Sequence, residues 1–94
     1  MENNTKNILS LYGITDEDYE DILTICPGLQ IVDTERILKN ISLVEQFGFP
    51  KFDMDSLILT NPDFLLSDPE ELAKTLLKLG TNIESKLKEN PFLI

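Results

Sequence analysis

The chain has no histidine and no tryptophan, one cysteine (Cys26), four glycines and five prolines in 94 residues. A single cysteine excludes an intrachain disulfide, and without histidine a structural zinc site of the Cys/His type lacks its ligands. Only a hard cation held by carboxylates would remain as a metal, and no loop of the D-x-D-x-D-G kind offers one. Cys26 also lacks an imidazole to lower its pKa. It stands on an apolar helical stripe just before Pro27 and reads as core. No apolar run approaches the roughly 20 residues of a membrane span. The opening MENNTKNILSLYG has one lysine and no arginine, unlike a secretory signal or a basic transit peptide, so the chain reads as cytoplasmic. Asp53, Asp55, Asp63 and Asp68 fall at cap and turn positions rather than in an acid–base pair. No enzyme and no cofactor is expected.

What the chain does have is acid. Seventeen Asp and Glu against eight Lys and Arg give a net charge of −9, which opposes phosphate backbones and anionic lipid. The distribution is uneven. Residues 1–33 hold seven acids against Lys6, whereas residues 74–94 hold Lys74, Lys78, Lys86 and Lys88 against Glu84 and Glu89.

The chain also repeats itself. In ITDEDYEDILTICP, Thr15 with Asp18 is a capping pattern, and Tyr19, Ile22, Leu23 and Cys26 share one helical face. Asp33 then caps a helix from about Thr34 to Phe47, with Ile37, Leu38, Ile41, Val44 and Phe47 inward. Thirty-five residues on, Met54, Leu57 and Ile58 replace Tyr19, Ile22 and Leu23, and Pro62 replaces Pro27. Asp68-Pro69-Glu70-Glu71 opens a helix to Leu79 in which Leu72, Ala73, Leu76 and Leu79 are expected to bury. A third copy starts at Gly80, with Ile83, Leu87 and Pro91 in the matching places. Gly13, Gly48 and Gly80 separate the copies as helix stops. Phe49, Phe52, Phe64 and Phe92 lie in connectors or helix openings, and most of them are expected to seal the gaps between layers.

The stretch GFPKFDMDSLILTNPDFLLSDPEELAKTLLKLG resembles the repeat of the mitochondrial transcription termination factor (mTERF) family. Units of that family run from a Gly-Phe-Pro opening through Pro-x-Leu-Leu to a helix ending in Leu-Gly. The resemblance spans nearly the whole chain, strongest at 48–80 and weaker at 13–47, where Pro-Gly-Leu-Gln replaces the apolar connector. It implies a superhelical α-solenoid and, by the habit of the family, nucleic-acid binding along a basic concave groove. The expected fold is all-α. It is a small right-handed helical-repeat array of about six helices, alternating short and long, with roughly two and a half repeats. It forms one domain over 1–94: a preceding helix at 1–12, units at 13–47 and 48–79, and a partial unit at 80–94.

The expected function is a non-catalytic binding module for an unidentified protein partner, with the chain itself a monomer or weak homodimer and no membrane involved. Nucleic-acid binding is the alternative. Lys39 and Lys74 are equivalent positions in successive long helices, with Lys78 a turn beyond and Arg36 at the edge, a ridge that phosphates can follow. Asp16, Glu17 and Glu20 form the other candidate contact surface, an acidic face on the first short helix. Carboxylates there also complement the helix dipole, and exposed lysines on a long helix are an ordinary solvated face. The apolar end Asn90-Pro-Phe-Leu-Ile94 either tucks against the last helix or meets a partner.

Overall fold

A computed structural model describes residues 4–94. Among these residues the secondary structure is helical throughout, with six α-helices: α1 (Asn4–Ser10), α2 (Asp16–Ile25), α3 (Thr34–Gln46), α4 (Met54–Thr60), α5 (Pro69–Leu79) and α6 (Ile83–Glu89). The expected preceding helix at 1–12 corresponds to α1, except that its first three positions lie outside the described residues. Short 3₁₀ turns at Pro27–Gln30, Pro62–Leu66 and Pro91–Leu93 fill what the sequence suggested as plain connectors, and a fourth, Lys51–Asp53, leads into α4.

Local chemistry repeats with the element order. Thr15 Oγ1 accepts from the Asp18 amide at 3.1 Å and fixes the start of α2. Asp33 and Asp68 do the same for α3 and α5, accepting from Glu35 and Glu70 amides at 3.2 and 3.3 Å. Their backbones agree closely, at φ −66°, ψ 128° and φ −63°, ψ 125°. Pro27, Pro62 and Pro91 each keep the residue before them out of the helical region: Cys26, Asn61 and Asn90 adopt φ −135°, −137° and −144°. Gly13, Gly48 and Gly80 sit at φ 89°, 113° and 75°, left-handed values that a side chain would make costly.

The body measures 40 × 22 × 20 Å. Helix α3 packs on α5 and on the turn 62–66, α1 packs on α2 and α3, and α5 packs on α6. One continuous core runs through the copies, including Leu9, Tyr19, Ile22, Leu29, Ile37, Ile41, Val44, Met54, Ile58, Phe64, Leu76 and Leu87.

The joint between the first and second copies is polar as well as apolar. Asn40 is fully buried, and its Nδ2 donates to the carbonyls of Phe64, Leu65 and Ser67 at 3.1, 3.0 and 2.8 Å. Arg36 Nη1 donates to Leu66 O at 3.2 Å. A methyl added at Gly28 would lie 3.0 Å from Leu66 Cδ1, which shows how closely the two proline turns approach. The residues before the prolines reach forward: Cys26 Sγ donates to Asp63 Oδ1 at 3.2 Å, and Asn61 Nδ2 donates to Pro91 O at 2.8 Å. Asn90, the third of the set, instead caps its own turn by accepting from the Phe92 amide at 3.1 Å.

Several burial expectations need correction. Leu38 is 44% exposed because it lies about 100° round the helix from Ile37, and Asn40 takes the inner slot. Ala73 and Leu79 are only half-buried, as is Phe47. Phe49 and Phe64 are buried, but Phe52 and Phe92 are 83% and 67% exposed. At the chain end Ile94 packs against the core while Phe92 points outward.

The Cys26 thiol is pushed up to about 11, first by burial and then by the hydrogen bond to and negative charge of Asp63. Because the folded value lies above the ordinary 9.0, the protonated thiol's contribution to stability is intact below that pH and is lost as the pH climbs towards the folded value. At pH 8 the native thiol should therefore resist a disulfide exchange reagent that reacts at once with the urea-unfolded chain. Equal rates in the two states would contradict the buried, acid-bonded placement.

Candidate binding surfaces

All seven residues singled out from the sequence, Arg36, Lys39, Lys74, Lys78, Asp16, Glu17 and Glu20, are exposed, but they do not form one site. Arg36 is committed to the Leu66 carbonyl, within the joint rather than at a free edge. Lys74 pairs with Glu71 at 3.6 Å, an exposed contact of small value. Lys78 occupies the last turn of α5, where a cation complements the helix C-terminus. Among the described residues, Lys39 and Lys78 make no ion pair, so of the ridge two cations remain uncommitted.

The remaining cations of the C-terminal third are tied down. Lys86 Nζ donates to the Leu79 carbonyl, closing the end of α5. Lys88 bridges Asp53 at 2.8 Å and Glu84 at 2.7 Å, joining α6 to the opening of the second copy. The hydrogen bond to Asp53 first, and that to Glu84 next, raise its pKa. A cleft of about 280 Å³ beside this bridge is lined by Phe49, Ser56, Leu57, Thr60, Leu87 and Pro91.

On α2, Asp16, Glu17 and Asp18 all lie in the first turn beside the Thr15 cap. Asp16 pairs with Lys6 of α1 at 3.4 Å. The cluster thus complements the helix dipole and ties α2 to α1.

A different surface was missed. Leu11 and Phe52, 75% and 83% exposed, converge with Tyr12 and Lys51 around an open cleft of about 390 Å³. Leu11 and Tyr12 belong to the turn after α1, and Lys51 and Phe52 to the 3₁₀ turn before α4, so the segment that precedes the first copy and the opening of the second build it together. Lys51 Nζ lies 5.7 Å from the centre of the Tyr12 ring, within cation–π range. The Tyr12 phenol is pushed up, mainly by burial and then by the nearby Glu45 carboxylate. Glu45 Oε2 is itself buried with no hydrogen-bond partner among the described residues. On the other flank Asp55 approaches Gly13, where an added methyl would lie 4.0 Å from its Oδ2. Only the offset of 35 residues hinted at this surface, since it pairs Phe52 with the exposed acid Glu17.

No helix of the described residues is long and apolar enough to cross a membrane. In comparison with known proteins, no family model, no curated protein and no solved structure matches the chain.

Proposed function

We propose that this chain is a non-catalytic binding module that recognises another protein, built as a small helical-repeat array related to the mTERF unit. The repeat reading is supported by the matched cap geometry of Asp33 and Asp68 and by the matched backbone before Pro27, Pro62 and Pro91. Short repeats of this kind bury their apolar faces by stacking and offer their outer surfaces for recognition.

One observation carries the choice of partner class: Leu11 and Phe52 meet with Tyr12 at an open apolar cleft on a chain of net charge −9. Apolar side chains gathered in this way mark protein contacts more than phosphate contacts. The lysine ridge is weaker support for the nucleic-acid alternative, with Lys74 beside the acid Glu71 and Arg36 held in the joint.

A titration with short single- and double-stranded RNA and DNA at about 50 mM salt tests this, because phosphate contacts are strongest at low salt. The expected result is no saturable binding. Saturable binding that weakens with salt and is lost in the Lys39→Glu/Lys74→Glu double variant would replace the protein-binding reading with the nucleic-acid one.

A further inference from the structure

The two joints of the array are built unequally. Between the first and second copies, Asn40 and Arg36 both reach the proline turn at 62–66, and that turn buries Phe64 and Leu65 completely. At the next joint the same places on α5 are spent within their own helix. Thr75, in the place of Asn40, donates to the Glu71 carbonyl at 3.1 Å, and Glu71, in the place of Arg36, pairs with Lys74. Leu93 and Ile94, in the places of Phe64 and Leu65, are only partly buried. Helix α6 is seven residues long and buries Ile83 and Leu87. The cleft of about 280 Å³ opens along this joint, between Phe49 and Leu57 of the second copy and Leu87 and Pro91 of the third.

We infer that residues 80–94 form a hinged cap that swings open as one body about residues 80–82 while residues 4–79 stay folded, with the ion pair between Lys88 and Asp53 as its latch. The hinge has the backbone for it. Gly80 at φ 75° and Asn82 at φ 60° both lie in the left-handed region, and a methyl added at Gly80 would meet nothing within 4 Å. Asn82 gives α6 no side-chain cap. Polar contacts hold the cap closed: Lys88 to Asp53 at 2.8 Å, Asn61 Nδ2 to Pro91 O at 2.8 Å, and Lys86 Nζ to the Leu79 carbonyl across the hinge itself. The Lys88 side chain is half exposed, so its pairing responds to salt. Two buried aliphatic side chains and these contacts are a small part of the whole, so the cap opens at a cost below that of global unfolding. Opening uncovers Phe49 and Leu57, both buried when it is closed. An apolar end of the array thus stays covered until the latch gives way.

Native-state hydrogen exchange of the full chain, followed by NMR, tests this. The amides of Lys86 and Asn90, bonded to the Asn82 and Lys86 carbonyls at 3.0 and 2.9 Å, and that of Phe92, bonded to Asn90 Oδ1, should share one opening constant. It should exceed that of the α3 interior by about a hundredfold or more, with a smaller urea dependence because less surface is exposed. Lys88→Met and Asp53→Asn should each raise it by about two- to fivefold, and the double variant by no more than either, while α3 is unchanged. Raising the salt from about 50 mM to 1 M should do the same to the parent and little to Lys88→Met. Exchange of α6 at the rate and urea dependence of α3 would overturn the inference, since the cap would then open only with the whole chain. So would a steady gradient from Phe92 inwards to Lys86, which is ordinary end fraying, or an α6 rate indifferent to Lys88→Met, which leaves no latch.

Discussion

Asn40→Ala is expected to destabilise the chain by about 2–4 kcal/mol, read as a lower urea midpoint at unchanged slope. The Asn40 amide donates to the Leu65 and Ser67 carbonyls across the joint, whereas Phe64 O also accepts from the Ser67 amide at 3.2 Å. The buried Leu65 carbonyl and the partly buried Ser67 carbonyl therefore lose their partner, at about 1–3 kcal/mol for the first before relaxation and less for the second. Against a total of roughly 5–14 kcal/mol for a domain of this size, that is a large fraction. Asn40→Asp sharpens the test. It sets a carboxylate against three carbonyl oxygens, which raises its folded pKa above the unfolded value of about 3.9. Its added penalty is then absent below that pH, where the carboxyl can donate, and grows as the pH rises through the folded pKa. Measured against the parent at each pH, the deficit should be larger at pH 7 than at pH 3. A pH-independent deficit would contradict the carbonyl contacts.

Phe64→Ala should cost about 3–5 kcal/mol, and Phe52→Ala less than about 0.5 kcal/mol. Both residues sit in 3₁₀ turns of the second copy, yet Phe64 is fully buried and Phe52 is 83% exposed. Phe64 also belongs to the turn that Asn40 holds, so the two sites should not be independent. In the double variant Asn40→Ala/Phe64→Ala the loss should fall short of the sum, because the first change already loosens the turn. Thermal unfolding followed by circular dichroism measures all of these.

Much of the fold could be read from local chemistry. Thr15, Asp33 and Asp68 marked helix starts because a side-chain oxygen has a fixed geometric task there. The glycines and prolines marked the ends for equally local reasons. Inter-copy geometry was harder. Asn40 stands on the stripe of Ile37, Ile41 and Val44, but a polar residue at such a place suggests a surface until its acceptors are known, and they lie 24 to 27 residues away. Periodicity alone puts Leu38 beside Ile37 on the inner face, yet it is 44% exposed, at the edge of the buried stripe.

The repeat itself contained a better reading of the aromatics than their type did. Buried Phe49 and Phe64 correspond to Ile14 and Leu29, both buried. Exposed Phe52 and Phe92 correspond to the acids Glu17 and Asp63. Position within the unit, not aromatic character, decides burial. Along the lysine ridge, too, the copies are not interchangeable: Arg36 reaches the following turn, while its equivalent Glu71 pairs with Lys74.

The most direct test is an NMR titration of isotope-labelled protein with a short RNA at low salt, where phosphate contacts are strongest. The account expects the signals of Lys39, Lys74 and Lys78 to stay unmoved. Saturable RNA shifts centred on those lysines would contradict it.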